Sequence, residues 1–168
     1  MSYIDTCILQ VFSDRKDSLR KDYEIGSKKI DSLLKNKSEC LCIPMPALGE
    51  AICMIRRKAK DRSIDVITEL YRLIDADVLT VCYLNNAYDT FAIAKELSER
   101  VDDDRDWVSP MDAFIAASAV VDGNCTTLYT TDQNLISNYR VSDIIQRWRD
   151  KNDYPELQIR DIPDLLKL

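Results

Sequence analysis

The chain has 168 residues, 46% hydrophobic and 31% charged, a balance that suits one folded domain and excludes a disordered chain. Its net charge of −6 excludes a broad basic surface of the kind that coats nucleic acid without regard to sequence. It contains no histidine, which removes Ser-His-Asp and Cys-His catalysis, histidine-based RNA cleavage and HExxH metalloproteases. Carboxylates, a lysine or an oxygen-held metal must carry any chemistry.

Ser2 to Asp5 reads as a short strand, followed by "TCILQVF" turning into a helix. Asp14 to Asn36 is charged and studded with Leu and Ile, and Leu33 and Leu34 close a helix there. "CLCIP" reads as a strand, and Pro46 opens a helix running to Lys60. A helix over Ser63 to Ile74, a strand in "DVLTVC" and a long helix over Asn85 to Val101 follow. "DDDRD" reads as a solvated loop before the helix that carries Asp112, which Gly123 is expected to close. "TTLYT" and "LQIR" supply the remaining strands.

Strands alternating with helices, with little hairpin chemistry, predict an α/β fold with a mainly parallel central sheet flanked by helices. No linker or repeat divides the chain, so one domain over 1–168 is expected. No apolar run approaches the ~18 residues of a membrane span, and the N-terminus lacks a signal-peptide pattern, so the expected location is the cytoplasm. Cys7, Cys53 and Cys82 sit among apolar residues and are expected to pack as small hydrophobes. There is no Cys-x-x-Cys pair to suggest zinc.

In a parallel sheet, ligands bind beyond the carboxyl ends of the strands. Asp5 ends the first strand, Asp132 follows "TTLYT", and Glu50 lies early in the helix after "CLCIP". Asp112 sits in the first turn of an alanine-rich helix with no other charge as far as Val121. Asp5 and Asp132 could equally be N-caps, and "SPMD" is a capping box. Glu50 is too deep in its helix to cap it; it falls opposite the stripe Leu48, Ile52, Ile55 and Ala59, aligned with Arg57. "RRKAKDR", Arg56 to Arg62, is the densest basic run and can serve either as a solvated helix end or as an RNA contact.

In order and context these pieces resemble the PIN-domain nucleases, particularly the VapC-type toxin ribonucleases. The resemblance rests on "YIDTCIL", "PALGEAI", "MDAFIAASAV", "LYTTDQNL" and "LQIRDIPDLL", and spans nearly the whole chain. It implies a single PIN-like domain and a metal-dependent endoribonuclease holding Mg²⁺ or Mn²⁺. Asp5 and Asp112 would be direct ligands, with Asp132 next and Glu50 acting through water or orienting the nucleophile. Thr130 would hydrogen-bond Asp5 or the substrate phosphate, and Arg57 and Thr6 are substrate-contact candidates. The implied partners are an RNA substrate, a cognate antitoxin and, as an option, a second copy of the chain, with no membrane.

The sequence departs from the family pattern in three respects. Asn134 stands where the family often has an acid, so any fifth ligand there would be neutral. The stretch from Asp14 to Cys40 is longer than in compact toxins, and there is no zinc ribbon or added RNA-binding module. An RNA-processing nuclease that is not a toxin, and a non-catalytic PIN scaffold binding RNA or protein, are the alternatives. An aspartate-nucleophile phosphatase of the haloacid dehalogenase type would need a second Asp where Cys7 stands.

Overall fold

The computed structural model describes residues 1–7, 41–59, 63–84, 86–100 and 107–161. Five strands form one sheet: β1 (Ser2–Ile4), β2 (Leu41–Pro44), β3 (Leu79–Cys82), β4 (Thr127–Tyr129) and β5 (Gln158–Arg160). Their order is β3-β2-β1-β4-β5, and every pairing is parallel. The sheet is thus wholly parallel, as the alternation of strands and helices predicts. Tyr3 lies opposite Cys42 on one side and Leu128 on the other, so β1 occupies the centre. All residues of β1 and β2 are buried, as expected of parallel strands covered on both faces.

Helix α1 (Met45–Ala59) follows β2 directly. It buries Ala47, Leu48, Ala51 and Ile55, whereas Ile52 is only partly buried. The buried face is therefore rotated from the expected stripe, because the two alanines let the helix approach its neighbours closely. This puts Glu50 on the flank of the buried face rather than opposite it, and leaves Cys53 exposed, against expectation. Cys7 and Cys82 are intermediate in exposure; the fully buried thiols are Cys42 and Cys125.

Helix α2 (Ser63–Asp75) leads to β3 through a turn in which Asp77 adopts a left-handed φ of 54°. Helix α3 (Ala87–Ser98) then runs antiparallel along α4 (Pro110–Val120). Its start shares a small cavity with Val120 and Val121, Phe91 meets Phe114 edge to face at 4.8 Å, and Arg100 beyond its end lies over Trp107. Four alanines of α4, at 113, 116, 117 and 119, are fully buried, which is how this nearly uncharged helix packs against β2, β4 and α1.

Gly123 does not close α4 in a left-handed conformation, since no described glycine has a positive φ. Val121 ends the helix, its N–H donating to Ala117 O. Gly123 serves contact instead: a Cβ there would stand 3.1 Å from the Tyr154 ring. After β4 come α5 (Gln133–Ser137), which the N-cap reading of Asp132 implies, and α6 (Tyr139–Lys151), which the sequence reading did not anticipate. Helix α6 buries Val141, Ile144, Ile145 and Arg149. No helix among the described residues is long and apolar enough to cross a membrane. The expected helix over 14–36, the "DDDRD" loop and the end of "LQIRDIPDLL" lie outside the described residues.

Candidate active site

Ile4 of β1 pairs with Tyr129 of β4, so the residues after them, Asp5 and Thr130, leave the same sheet edge together. Asp5 is only 3% exposed. Its Oδ2 accepts from Thr130 Oγ1 at 2.6 Å, and its Oδ1 accepts the N–H of Thr6. Thr130 Oγ1 in turn accepts the N–H of Asp132 at 3.1 Å. Asp132 caps α5, its Oδ1 accepting the Asn134 N–H at 2.8 Å. One buried hydroxyl therefore joins the acid after β1 to the acid after β4.

Thr6 makes the corresponding link to α1. Its Oγ1 donates to Glu50 Oε2 at 2.7 Å and lies 3.3 Å from Ala47 O. With Thr6 itself 3% exposed, the hydroxyl is committed within the protein. Asp112 stands half-buried in the first turn of α4, where Ser109 is the N-cap. Its N–H donates to Ser109 Oγ at 3.2 Å, and Ser109 Oγ donates back to Asp112 Oδ2. A capping box sends the acid to the cap's backbone N–H; here the acid takes the cap's hydroxyl.

The electrostatics join the same four acids. Burial pushes the Asp5 carboxyl up to about 6; Thr130 opposes the shift, while the charges of Asp112 and Glu50 add to it. Asp112 is also raised, first by burial and then by Asp132 and Glu50, with Ser109 opposing. Burial, with help from the Asp5 charge, pushes the Cys7 thiol up to about 12, and it remains a protonated donor 3.7 Å from Asp5 Oδ2.

A cation held here would meet oxygen donors, the ligands hard divalent ions prefer. Beyond the hydrogen bonds above, Glu50 Oε1, Asp112 Oδ1 and Asp132 Oδ2 remain to receive it. Among the described residues, no three Cys, Asp or Glu side chains stand close enough to form a ready-made metal-binding group.

Arg57 is exposed, two helical turns beyond Glu50 and on the same side of α1. Sequence reasoning passed over Trp107, whose carbonyl accepts from Asn134 Nδ2 at 2.9 Å. A cavity of about 620 Å³ lies elsewhere, between α5, α6 and β5, and shares no residue with the acid cluster. The cavity is lined by two acids, Asp143 and Glu156, whereas the four acids of the cluster are charge-coupled, which bears more directly on chemistry. No protein-family model matches the chain, and no curated protein matches it.

Proposed function

We propose that this protein is a metal-dependent endoribonuclease that hydrolyses RNA phosphodiesters at Asp5, Glu50, Asp112 and Asp132, and that it is the toxin of a VapBC-type toxin–antitoxin pair. The observation that carries the reading is the convergence of four acids from four separate chain segments, where burial raises Asp5 and Asp112 and the charges of the neighbouring acids add to the shift. A purely structural edge has no use for such repulsion. When bound, Mg²⁺ or Mn²⁺ would supply Lewis-acid activation of water and neutralise charge at the leaving oxygen.

The chain's own part is positional. Thr130 fixes the Asp5 carboxylate, Thr6 fixes Glu50, and Ser109 fixes Asp112, so the acids reach the substrate with their rotamers already restricted. Glu50, half-exposed on the flank of α1, would orient a water. A cognate antitoxin would neutralise the cluster by inserting Arg or Lys among the acids.

The test is cleavage of single-stranded RNA by the purified chain with Mg²⁺, with Mn²⁺ and with EDTA, beside the Asp112→Asn variant. Cleavage that needs the ion and is lost in the variant supports the nuclease reading; no cleavage under any condition refutes it. Growth arrest on expression, absent for Asp112→Asn, separates a toxin from a processing nuclease.

A further inference from the structure

We infer that Cys82 is a modification site whose sulfur, activated by Cys42 beside it, takes up a low-molecular-weight disulfide such as oxidised glutathione as a mixed disulfide. This does not depend on the nuclease reading. The site is a cluster drawn from three strands and the turn after α4. Tyr3 of β1 pairs with Cys42 of β2, and Pro44, two residues further along β2, pairs with Cys82 of β3. Successive strand residues alternate between faces, so Tyr3, Cys42 and Cys82 share one face of the sheet. Cys82 ends β3, the last strand on its side among the described residues, and is partly exposed. Cys42 and Tyr3 behind it are buried.

The Cys42 S–H donates to the Cys82 sulfur, and the Tyr3 hydroxyl hydrogen-bonds the same atom. Tyr3 also donates to Asp122 Oδ2 at 2.8 Å, and its one proton cannot serve both acceptors. Cys42 is therefore the constant donor. A sulfur that accepts a hydrogen bond is stabilised as the thiolate, which is the nucleophile of thiol–disulfide exchange. Cys42 brings the Cys82 thiol down to about 7 against its burial, with Tyr3 helping and the Asp122 charge opposing. A thiol that titrates near the ambient pH is the most effective attacker in such exchange. Burial instead pushes the Cys7 and Cys125 thiols up to about 12.

Cys42 and Cys82 do not close on each other. Diagonal neighbours on adjacent strands have Cα atoms about 7–8 Å apart, beyond the usual reach of a disulfide, so the partner sulfur must come from outside. In the exchange, the Cys82 thiolate forms a bond to one sulfur of oxidised glutathione and the original S–S bond breaks. Its electron pair leaves with the second glutathione as a thiolate, which takes a proton from water. Cys82 is oxidised and the departing glutathione is reduced.

The experiment incubates the full chain with oxidised glutathione at pH 7 and follows each adduct over time by mass spectrometry of its peptides. Cys82 should take up glutathione several-fold faster than Cys53, although Cys53 is the more exposed, and dithiothreitol should remove the adduct. In urea this preference should disappear, because it comes from the folded cluster. Cys42→Val removes the donor at similar volume, and should slow the Cys82 reaction several-fold while leaving the Cys53 rate unchanged. Cys42→Ser keeps a donor and should recover most of the rate. A Cys82 rate no higher than that of Cys53 in the unsubstituted chain overturns the inference, and that comparison needs no variant to fold. A preference for Cys82 that persists in urea overturns it as well, since local sequence would then be its source. So does a folded Cys42→Val chain in which Cys82 reacts as fast as before.

Discussion

Thr130 Oγ1 stands 2.6 Å from Asp5 Oδ2 and 3.1 Å from the Asp132 amide nitrogen, donating to the first and accepting from the second. Thr130 is fully buried and its bond to Asp5 is buried with it, so that contact has no water substitute at hand. Thr130→Val keeps the shape and removes both bonds. It should cost about 1–2 kcal/mol of stability, since the part-buried Asp132 N–H loses its acceptor and Asp5 loses a donor. It should also raise the Asp5 carboxyl further, because the hydroxyl now holds it down. Thr130→Ser should restore both properties. Urea denaturation in EDTA checks the first, and the Mn²⁺ dependence of cleavage, displaced to higher concentration, checks the second.

The Asp5 shift makes stability depend on pH with a definite sign. An aspartate in the unfolded chain loses its proton near 3.8; in the folded protein Asp5 keeps it to about 6. Below the lower value both states are protonated and the site costs nothing. Between the two the folded state binds more protons than the unfolded one, so stability falls as pH rises. Above about 6 the full cost is present, about 3 kcal/mol for a shift of this size. Asp112, raised as well, acts in the same direction. Asp5→Asn should therefore abolish cleavage yet gain about 1–2 kcal/mol at neutral pH in EDTA, after losing about 1 kcal/mol of hydrogen bonding. Below pH 4 it should be no more stable than the parent. Thermal melts across this range test the crossover, and a variant less stable at pH 7 than the parent would contradict the buried repulsion.

The strand-end acids were legible because a parallel sheet sends all its carboxyl ends to one edge, and Asp5 and Asp132 each follow an apolar run. Asp112 was legible through "SPMD", though its bond to the Ser109 hydroxyl was not. Glu50 was found but misoriented. A stripe drawn through isoleucines overlooks how closely Ala47 and Ala51 approach the core, and the helix is turned accordingly. Helix α6 was missed despite Val141, Ile144 and Ile145 at helical spacing. The meeting of Arg100 with Trp107 has no local signal, because the antiparallel course of α3 and α4 creates it.

Arg149 is the sharpest case of a residue that sequence cannot place. It is fully buried, and Nε donates to Pro155 O at 2.7 Å. Nη1 donates to Val120 O at 3.1 Å and Asp122 O at 2.9 Å, and Nη2 donates to Cys125 O at 2.7 Å. The guanidinium thereby satisfies the carbonyls at the end of α4 and in the turn into β4. Arg149→Met fills the volume but leaves these acceptors without donors, and should cost about 3 kcal/mol or more. Arg149→Lys, with a single donor centre, should recover only part of this. Urea midpoints of the two variants give the measurement; a Met variant as stable as the parent would show that packing, not donation, explains the site.

The absence of histidine bears on the products as well as on the catalyst. Cleavage through the ribose 2′-hydroxyl needs one group to take its proton and another to protonate the departing oxygen, a pairing histidines commonly provide. The candidate site offers four carboxylates, two of them raised first by burial and further by their neighbours' charge. Carboxylates serve better to orient a water and to hold a divalent cation, and attack by water in line with the 3′-oxygen leaves a 5′-phosphate and a free 3′-hydroxyl. An RNA carrying one 2′-deoxy residue at the scission site should therefore still be cut. Activity should vanish in EDTA, fully in step with chelation, and return on adding Mn²⁺ or Mg²⁺. End mapping of the fragments decides the matter: 2′,3′-cyclic phosphates, or full activity in chelator, would require a different mechanism at these same acids.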